Sequence, residues 1–214
     1  MEDSYRHKGL RNKLVATLKA KGIDNLEVLQ AIQVLPRHYF LDKAFEEKAY
    51  IDEAFPIGKD QTISQPYTVA YQTSLLNIKK REKVMEIGTG SGYQAAILSM
   101  LGARVYTIER HESLHKKASL LLKQIGLRGI RTYFRDGMKG LAEYAPFDKI
   151  IVTAGIEELP ENLLQQLKVG GILVIPVGRK VLRMKRITHL SEGKYKEEVF
   201  DKFKFVPFLP GTVK

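Results

Sequence analysis

Three glycines and a handful of carboxylates carry the chemistry that this 214-residue chain could perform. The run Val84-Met-Glu-Ile-Gly-Thr-Gly-Ser-Gly92 leads a short apolar segment into Gly88, Gly90 and Gly92, with Thr89 between the first two. Glycine tolerates positive φ and leaves its backbone bare, so a ligand can lie directly against such a turn. An apolar run, a glycine turn and then the helical pattern Tyr93–Leu101 make the opening of a nucleotide-type site. The spacing is G-x-G-x-G, however, and Tyr93 stands where the dinucleotide pattern asks for glycine or alanine. Glu86, just upstream, suits a ligand with positive charge better than a pyrophosphate. Glu109 follows about 20 residues beyond the turn, where a carboxylate can accept both ribose hydroxyls of a nucleoside. Asp136, followed by Gly137, could accept from an adenine amino group; a plain Asp-Gly turn is the competing account.

Two further groups invite chemistry. Ser64 precedes Gln65-Pro66, and proline fits the first turn of a helix. Its hydroxyl therefore stands beside free N–H groups at a positive dipole end, where a carboxylate would be welcome. A simple capping serine is the structural alternative. His111-Glu-Ser-Leu-His115 matches the zinc-protease pattern H-E-x-x-H. It opens the helix after Glu109, has no obvious third ligand and borders the stripe of Leu114, Ala118, Leu121 and Ile125, so it reads as packing and no metal is expected. His7, His38 and His189 are scattered and read as structural or surface residues.

The elements that must position these residues follow from periodicity. Leu10, Leu14, Val15 and Leu18 predict a helix over 4–21 stopped by Gly22, and Asp24 is the expected N-cap of a second helix through Leu35. Residues 36–58 are low in periodicity and rich in aromatics, proline and glycine, which predicts an ordered loop. A helix is predicted from Pro66 to Leu76. From Lys83 the pattern alternates, with strands at 84–88, 104–109, 129–134, 148–153 and 171–176 and helices near 93–101, 111–125 and 159–168. Apolar strands such as Ile150-Ile-Val152 predict a parallel sheet covered on both faces. Right-handed crossovers then bring Glu109 and Asp136 to the carboxyl edge beside the glycines. Hairpin-like strands are expected at 181–190, 195–200 and 203–206. The fold class is thus α/β: a doubly wound, mostly parallel Rossmann-like sheet with an N-terminal helical and loop extension. Residues 1–78 would shape the substrate side and residues 79–214 the ligand-binding core, as one compact unit.

Composition narrows the function. Hydrophobic content of 44% with 28% charged residues describes a chain able to bury a full core. The absence of cysteine excludes disulfides, thiolate metal sites and a cysteine nucleophile. With no membrane span and no signal-peptide core, a cytoplasmic location is expected. A net charge of +11 favours nucleic acid through counterion release. Yet the densest basic runs, Lys79-Lys-Arg81 and Arg179-Lys180 with Arg183, Lys185 and Arg186, fall at loop and edge-strand positions where solvation accounts for them.

Glu86 to Gly92, Glu109 and Asp136 together resemble a class I S-adenosylmethionine-dependent methyltransferase, whose sulfonium and ammonium groups an acidic site would suit. A narrower resemblance covers about Leu10 to Gly211. Ala49-Tyr-Ile-Asp52, Pro56-Ile-Gly58, Gln61-Thr-Ile-Ser-Gln-Pro66, Met85 to Leu98, Leu173 to Gly178 and Phe205-Val-Pro207 are similar to the signatures of the protein-L-isoaspartate O-methyltransferase family. The chain departs from the family's usual pattern at Arg135-Asp136-Gly137 and Thr153-Ala154-Gly155. The resemblance implies methyl transfer from S-adenosylmethionine to the misplaced α-carboxylate of L-isoaspartyl residues in damaged peptides and proteins, and an ester that collapses to a succinimide and partly reopens as aspartate. It implies Ser64 as the catalytic-site serine, and Ile63 and Val206 as backbone holding an extended peptide. Glu86, Gly88, Thr89, Gly90, Gly92, Glu109, Asp136 and Gly137 are the expected cofactor residues. A monomer without stable nucleic-acid or membrane partners is expected. Such a sparse site suffices physically, because a carboxylate with a pKa of about 4 is already ionised at neutral pH and needs no general base. An RNA methyltransferase is the main rival, but Val152-Thr-Ala-Gly155 stands where base-amine enzymes carry Asn/Asp-Pro-Pro-Tyr/Phe. A catalytically silent S-adenosylmethionine-binding module is the second.

Overall fold

The computed structural model describes residues 2–214. Helix α1 (Tyr5–Ala20) starts at Ser4, whose hydroxyl accepts from the His7 N–H, and α2 (Leu26–Val34) follows. The α2 cap is Asn25, not Asp24 as expected: the Asn25 side-chain oxygen accepts from the Val28 N–H at 3.1 Å. Two 3₁₀ turns, Arg37–Phe40 and Lys43–Lys48, lead into a small hairpin of β1 (Phe55–Gly58) and β2 (Gln61–Ile63) inside the stretch expected to be loop. Its two-residue turn places Lys59 and Asp60 at positive φ (55° and 54°), residues that give no glycine or asparagine signal of a turn. Helix α3 (Pro66–Leu76) comes next, with proline in its first turn as expected.

The alternating half then builds β3 (Lys83–Ile87), α4 (Tyr93–Met100), β4 (Arg104–Glu109), α5 (Glu112–Gln124), β5 (Arg131–Phe134), β6 (Phe147–Val152), α6 (Glu161–Gln165), β7 (Leu167–Val177), β8 (Leu182–Ser191) and β9 (Lys194–Phe203). They form one seven-stranded sheet in the order β5-β4-β3-β6-β7-β8-β9. The first five strands are parallel and the last two antiparallel. The expected doubly wound sheet is present, and strand order reverses between β3 and β6, which is where such sheets hold ligands.

Side-chain alternation along the strands feeds two cores. Val84, Val105, Ile151 and Val174 point into one, where they meet Ala70, Leu98, Leu114 and Leu122 of α3, α4 and α5 together with Leu14, Leu18 and Ile32 of the first two helices. Met85, Ile87, Ile108, Ile150 and Leu173 point into the other, covered by Leu141 and Leu163. That second face carries only the five residues of α6 and short 3₁₀ turns at 137–139 and 142–144. Helix α6 is shorter than the expected 159–168 because β7 already begins at Leu167, which pairs with Phe147 ahead of a register shift.

The expected strand at 203–206 does not form. After β9 the chain leaves the sheet, because the Val206 carbonyl accepts from the Gly155 N–H (2.8 Å) and the Phe208 N–H donates to the Gly155 carbonyl (2.7 Å). The tail then crosses to the far side of the sheet edge. There Val213 bonds through its N–H to the Arg110 carbonyl (2.7 Å) and through its carbonyl to the Glu112 N–H (2.9 Å). Residues 206–213 thus form a strap across the carboxyl edge of β3, β4 and β6.

Candidate active site

A cleft lies under this strap, enclosing with its open mouth about 800 Å³. One wall is the turn between β3 and α4, where Gly88, Gly90 and Gly92 all take positive φ (98°, 52° and 88°). A Cβ on Gly88 would stand 2.4 Å from the Thr153 Oγ1, so only glycine fits. Thr153 itself donates to the Ile87 and Gly88 carbonyls (3.0 and 2.9 Å), tying the end of β6 to the turn. The Thr89 and Thr107 hydroxyls meet at 2.6 Å behind it.

Glu109 closes this wall. One carboxylate oxygen accepts from the Gly90 N–H (2.8 Å) and the other from the His111 N–H (2.9 Å). Each oxygen of an ionised carboxylate has two acceptor positions, so one per oxygen remains for a pair of vicinal hydroxyls. A nucleoside ribose presents such a pair, and these acceptor positions therefore fit that half of S-adenosylmethionine.

The structure separates the remaining sequence-derived candidates. Gly88, Thr89, Gly90, Glu109, Gly137, Ile63, Ser64 and Val206 all line the cleft. Gly92 does not; it caps α4 from behind, against Leu122. The Asp136 side chain does not line it either, since Oδ1 accepts from the Met138 N–H (2.9 Å) and holds the turn that places Gly137 there. Arg135 pairs with Glu143 on the exterior. Glu86 is the largest departure from an acidic rim. It shares the face of Val84, beside Thr107 in register, and is 0% exposed with neither oxygen completing a hydrogen bond. Burial pushes its carboxyl up to about 8 and the Glu109 charge adds to this, while the nearby Thr107 hydroxyl offsets part of it. At neutral pH Glu86 is a protonated, uncharged group under the glycine turn.

The opposite wall comes from the N-terminal segment. Ser64 precedes α3, and among the described residues no protein group bonds its hydroxyl. Its carbonyl is held by Arg37, a fully buried residue that the sequence pattern did not single out. The guanidinium donates to the Ser64 carbonyl (3.0 Å) and the Ala49 carbonyl (3.0 Å), and sits 4.9 Å from the centre of the Tyr93 ring. Desolvation pulls its pKa down to about 10, which still leaves it charged at neutral pH. Asp52 fixes the same corner: its carboxylate accepts from the Tyr67 N–H (2.7 Å), capping α3 from 15 residues upstream. Gln65 is the N-cap residue of α3, but its side chain makes no cap bond and donates to Asp52. Phe208 and Leu209 of the strap complete the cleft, and neither was foreseen.

His111 begins α5, its two ring nitrogens without hydrogen-bonding partners, and His115 lies 6.2 Å from the Phe134 ring. Among the described residues the one cluster with metal-ligand spacing is Asp3, His7 and His38. Its donors are already engaged, since both Asp3 oxygens accept from Arg11 at 2.7 Å, and His38 contacts the Tyr50 hydroxyl (2.6 Å) and the Glu2 carbonyl (3.1 Å).

A mostly parallel sheet with a glycine turn and a terminal carboxylate at its switch point defines a Rossmann-like domain of the class I methyltransferase type. The family model described as protein-L-isoaspartate(D-aspartate) O-methyltransferase matches residues 9–212, and the chain belongs to that family. Relatives named protein-L-isoaspartate O-methyltransferase from Flavobacterium psychrophilum and Christiangramia forsetii are each 56% identical over 98% of this chain and 98% of theirs. A solved structure with the same name superposes with a TM-score of 0.84 at 27% identity, covering 92% of this chain and 65% of that one. A structure from Plasmodium falciparum, titled a putative member in complex with S-adenosyl-L-homocysteine, gives a TM-score of 0.82 at 23% identity over 95% of this chain and 98% of that one.

Proposed function

We propose that the protein methylates the free α-carboxylate of L-isoaspartyl residues in damaged peptides and proteins, with S-adenosylmethionine as donor. One observation carries this reading: a single cleft is lined both by the glycine turn with Glu109 and by Ile63, Ser64 and Val206. Donor and acceptor sites thus share one enclosure. Gly88, Thr89, Gly90, Glu109 and Gly137 would hold the nucleoside, with Gly92, Asp136 and protonated Glu86 shaping the wall behind.

When bound, the donor supplies an electrophilic methyl on sulfonium sulfur, and the acceptor oxygen takes it as the carbon–sulfur pair returns to sulfur. The chain's own task is positioning. The Ser64 hydroxyl, free of internal partners, donates to the acceptor carboxylate and aims one oxygen. A neutral donor orients the anion without quenching its nucleophilicity as a full positive charge would. Phe208 and Leu209 keep water from the reacting pair. The neighbouring backbone nitrogen then attacks the ester carbonyl, gives up its proton and expels methanol, and water opens the resulting succinimide, partly to aspartate.

Residues 1–78 bring Ile63 and Ser64 to the acceptor side, and residues 79–214 build the donor side and add Val206 to the acceptor side. No helix among the described residues is long and apolar enough to cross a membrane, and a cytoplasmic monomer free of stable nucleic-acid partners is the state we assign. The decisive assay offers labelled S-adenosylmethionine with an isoaspartyl peptide, its aspartyl twin and RNA. Label in the isoaspartyl peptide alone, released as methanol in alkali, is expected. Label in RNA would overturn the reading.

A further inference from the structure

A second groove opens from the acceptor end of the cleft and shares Thr62, Ser64, Thr153, Val206 and Pro207 with it. Its bed is apolar, formed by Ile156, Leu182, Phe203 and Phe205. The bed is continuous with Ser64 and so offers a path to one flank of a peptide whose isoaspartyl carboxylate sits there. The groove's cations are not equivalent. Arg179 is neutralised by Glu157 at 3.0 Å, with Glu158 at 3.9 Å. Lys180, Lys202 and Lys204 are exposed and, among the described residues, have no carboxylate within ion-pair distance. The remaining groove acid, Asp201, faces the Tyr71 hydroxyl at 3.4 Å.

We propose that this groove holds the residues flanking the isoaspartyl group and selects acidic ones, with Lys180, Lys202 and Lys204 as the determinants. The inference rests on the activity proposed above and deepens it: among damaged sites, those in acidic surroundings are taken first. Rim charges in water each contribute little, but three of one sign act together and raise the rate of encounter. They lie away from the reacting atoms, so the preference belongs in KM and not in kcat.

The test uses three isoaspartyl peptides of equal length with alanine, glutamate or lysine on both flanks, assayed at low and at high salt. KM for the glutamate peptide is expected about 5-fold below that for the lysine peptide at low salt, with kcat within about twofold, and the difference should vanish at high salt. In the variant Lys180→Glu/Lys202→Glu/Lys204→Glu the order should invert. A control, Lys13→Glu/Lys19→Glu/Lys194→Glu, changes the net charge equally on surfaces outside both grooves and should keep the parental order. Equal KM values for all three peptides, or a control that shifts the order as far as the groove variant, would overturn the inference while leaving the activity intact. Failure to methylate any of the three peptides would strike the underlying activity itself.

Discussion

At the scale of single residues, the site divides the labour between a free hydroxyl, the Glu109 carboxyl at the glycine turn and the buried Glu86 carboxyl beneath it. Ser64→Ala removes the aiming hydrogen bond and little else, because no internal partner is orphaned. Turnover on isoaspartyl peptide is expected to fall about 10-fold while the Kd for S-adenosylhomocysteine stays within about twofold. Equal losses in both, by steady-state kinetics and calorimetry, would remove the orienting role. Glu86 makes a pH prediction. Unfolded, it loses its proton near its ordinary value of 4.5; folded, it keeps it up to about 8. Between those values the folded state binds a proton that the unfolded state does not, so stability falls as pH rises through the window and levels off above it. Glu86→Gln removes this dependence. Its advantage over the parent in urea unfolding without ligand should therefore grow from pH 5 to pH 8 and stay constant beyond. An advantage that ignores pH would mean that the carboxyl ionises normally inside the sheet. Glu109 stands beside the glycine turn, where its place at a strand end and its spacing put it. Glu86 was harder: in a strand covered on both faces, the one-dimensional pattern shows that a carboxyl is near the turn but not whether it reaches past it.

At the scale of elements, the glycine turn, the parallel strands and the proline-led α3 were legible because each is written locally. Contacts that bridge distant stretches were not. Asp52 caps α3 across 15 residues, and the cap is invisible to any pattern centred on Gln65. The β1–β2 hairpin escaped because Lys59 and Asp60 adopt left-handed backbone without the usual turn residues. The strap replaced a third hairpin strand because the Val206 and Phe208 backbone groups found Gly155, an arrangement possible only once β6 and β9 are in place. Arg37 is the most consequential of these long-range links. Replacing it by methionine keeps much of its stem but leaves the Ser64 and Ala49 carbonyls without donors. A loss of about 2–3 kcal/mol in unfolding free energy is expected by chemical denaturation. A loss below about 0.5 kcal/mol would mean that these carbonyls find other donors at little cost.

At the scale of the whole molecule, the N-terminal helices, the sheet and the tail meet in one enclosure. One hydrophobic cluster runs from Leu14 through Val84 to Val174, so the acceptor wall and the donor wall are parts of a single packed body. The tail is the exception, since the strap is held mainly by backbone bonds at its two ends. Deleting residues 208–214 removes Phe208 and Leu209 from the cleft while leaving every sheet strand intact. Affinity for S-adenosylhomocysteine is expected to drop by about 10-fold or more, with the far-ultraviolet circular dichroism unchanged. Undiminished affinity would show that the strap is no part of the binding wall.

The strap's anchors lie on opposite banks of the switch point, Gly155 after β6 and Arg110 after β4. Whatever fills the cleft presses on a clasp that joins the two halves of the sheet's edge, so occupancy and tail order rise and fall together. A molecule starved of nucleoside is then the one whose tail peptidases should clip first, and its half-life in a protease mixture would double as a gauge of how well the cell keeps it supplied.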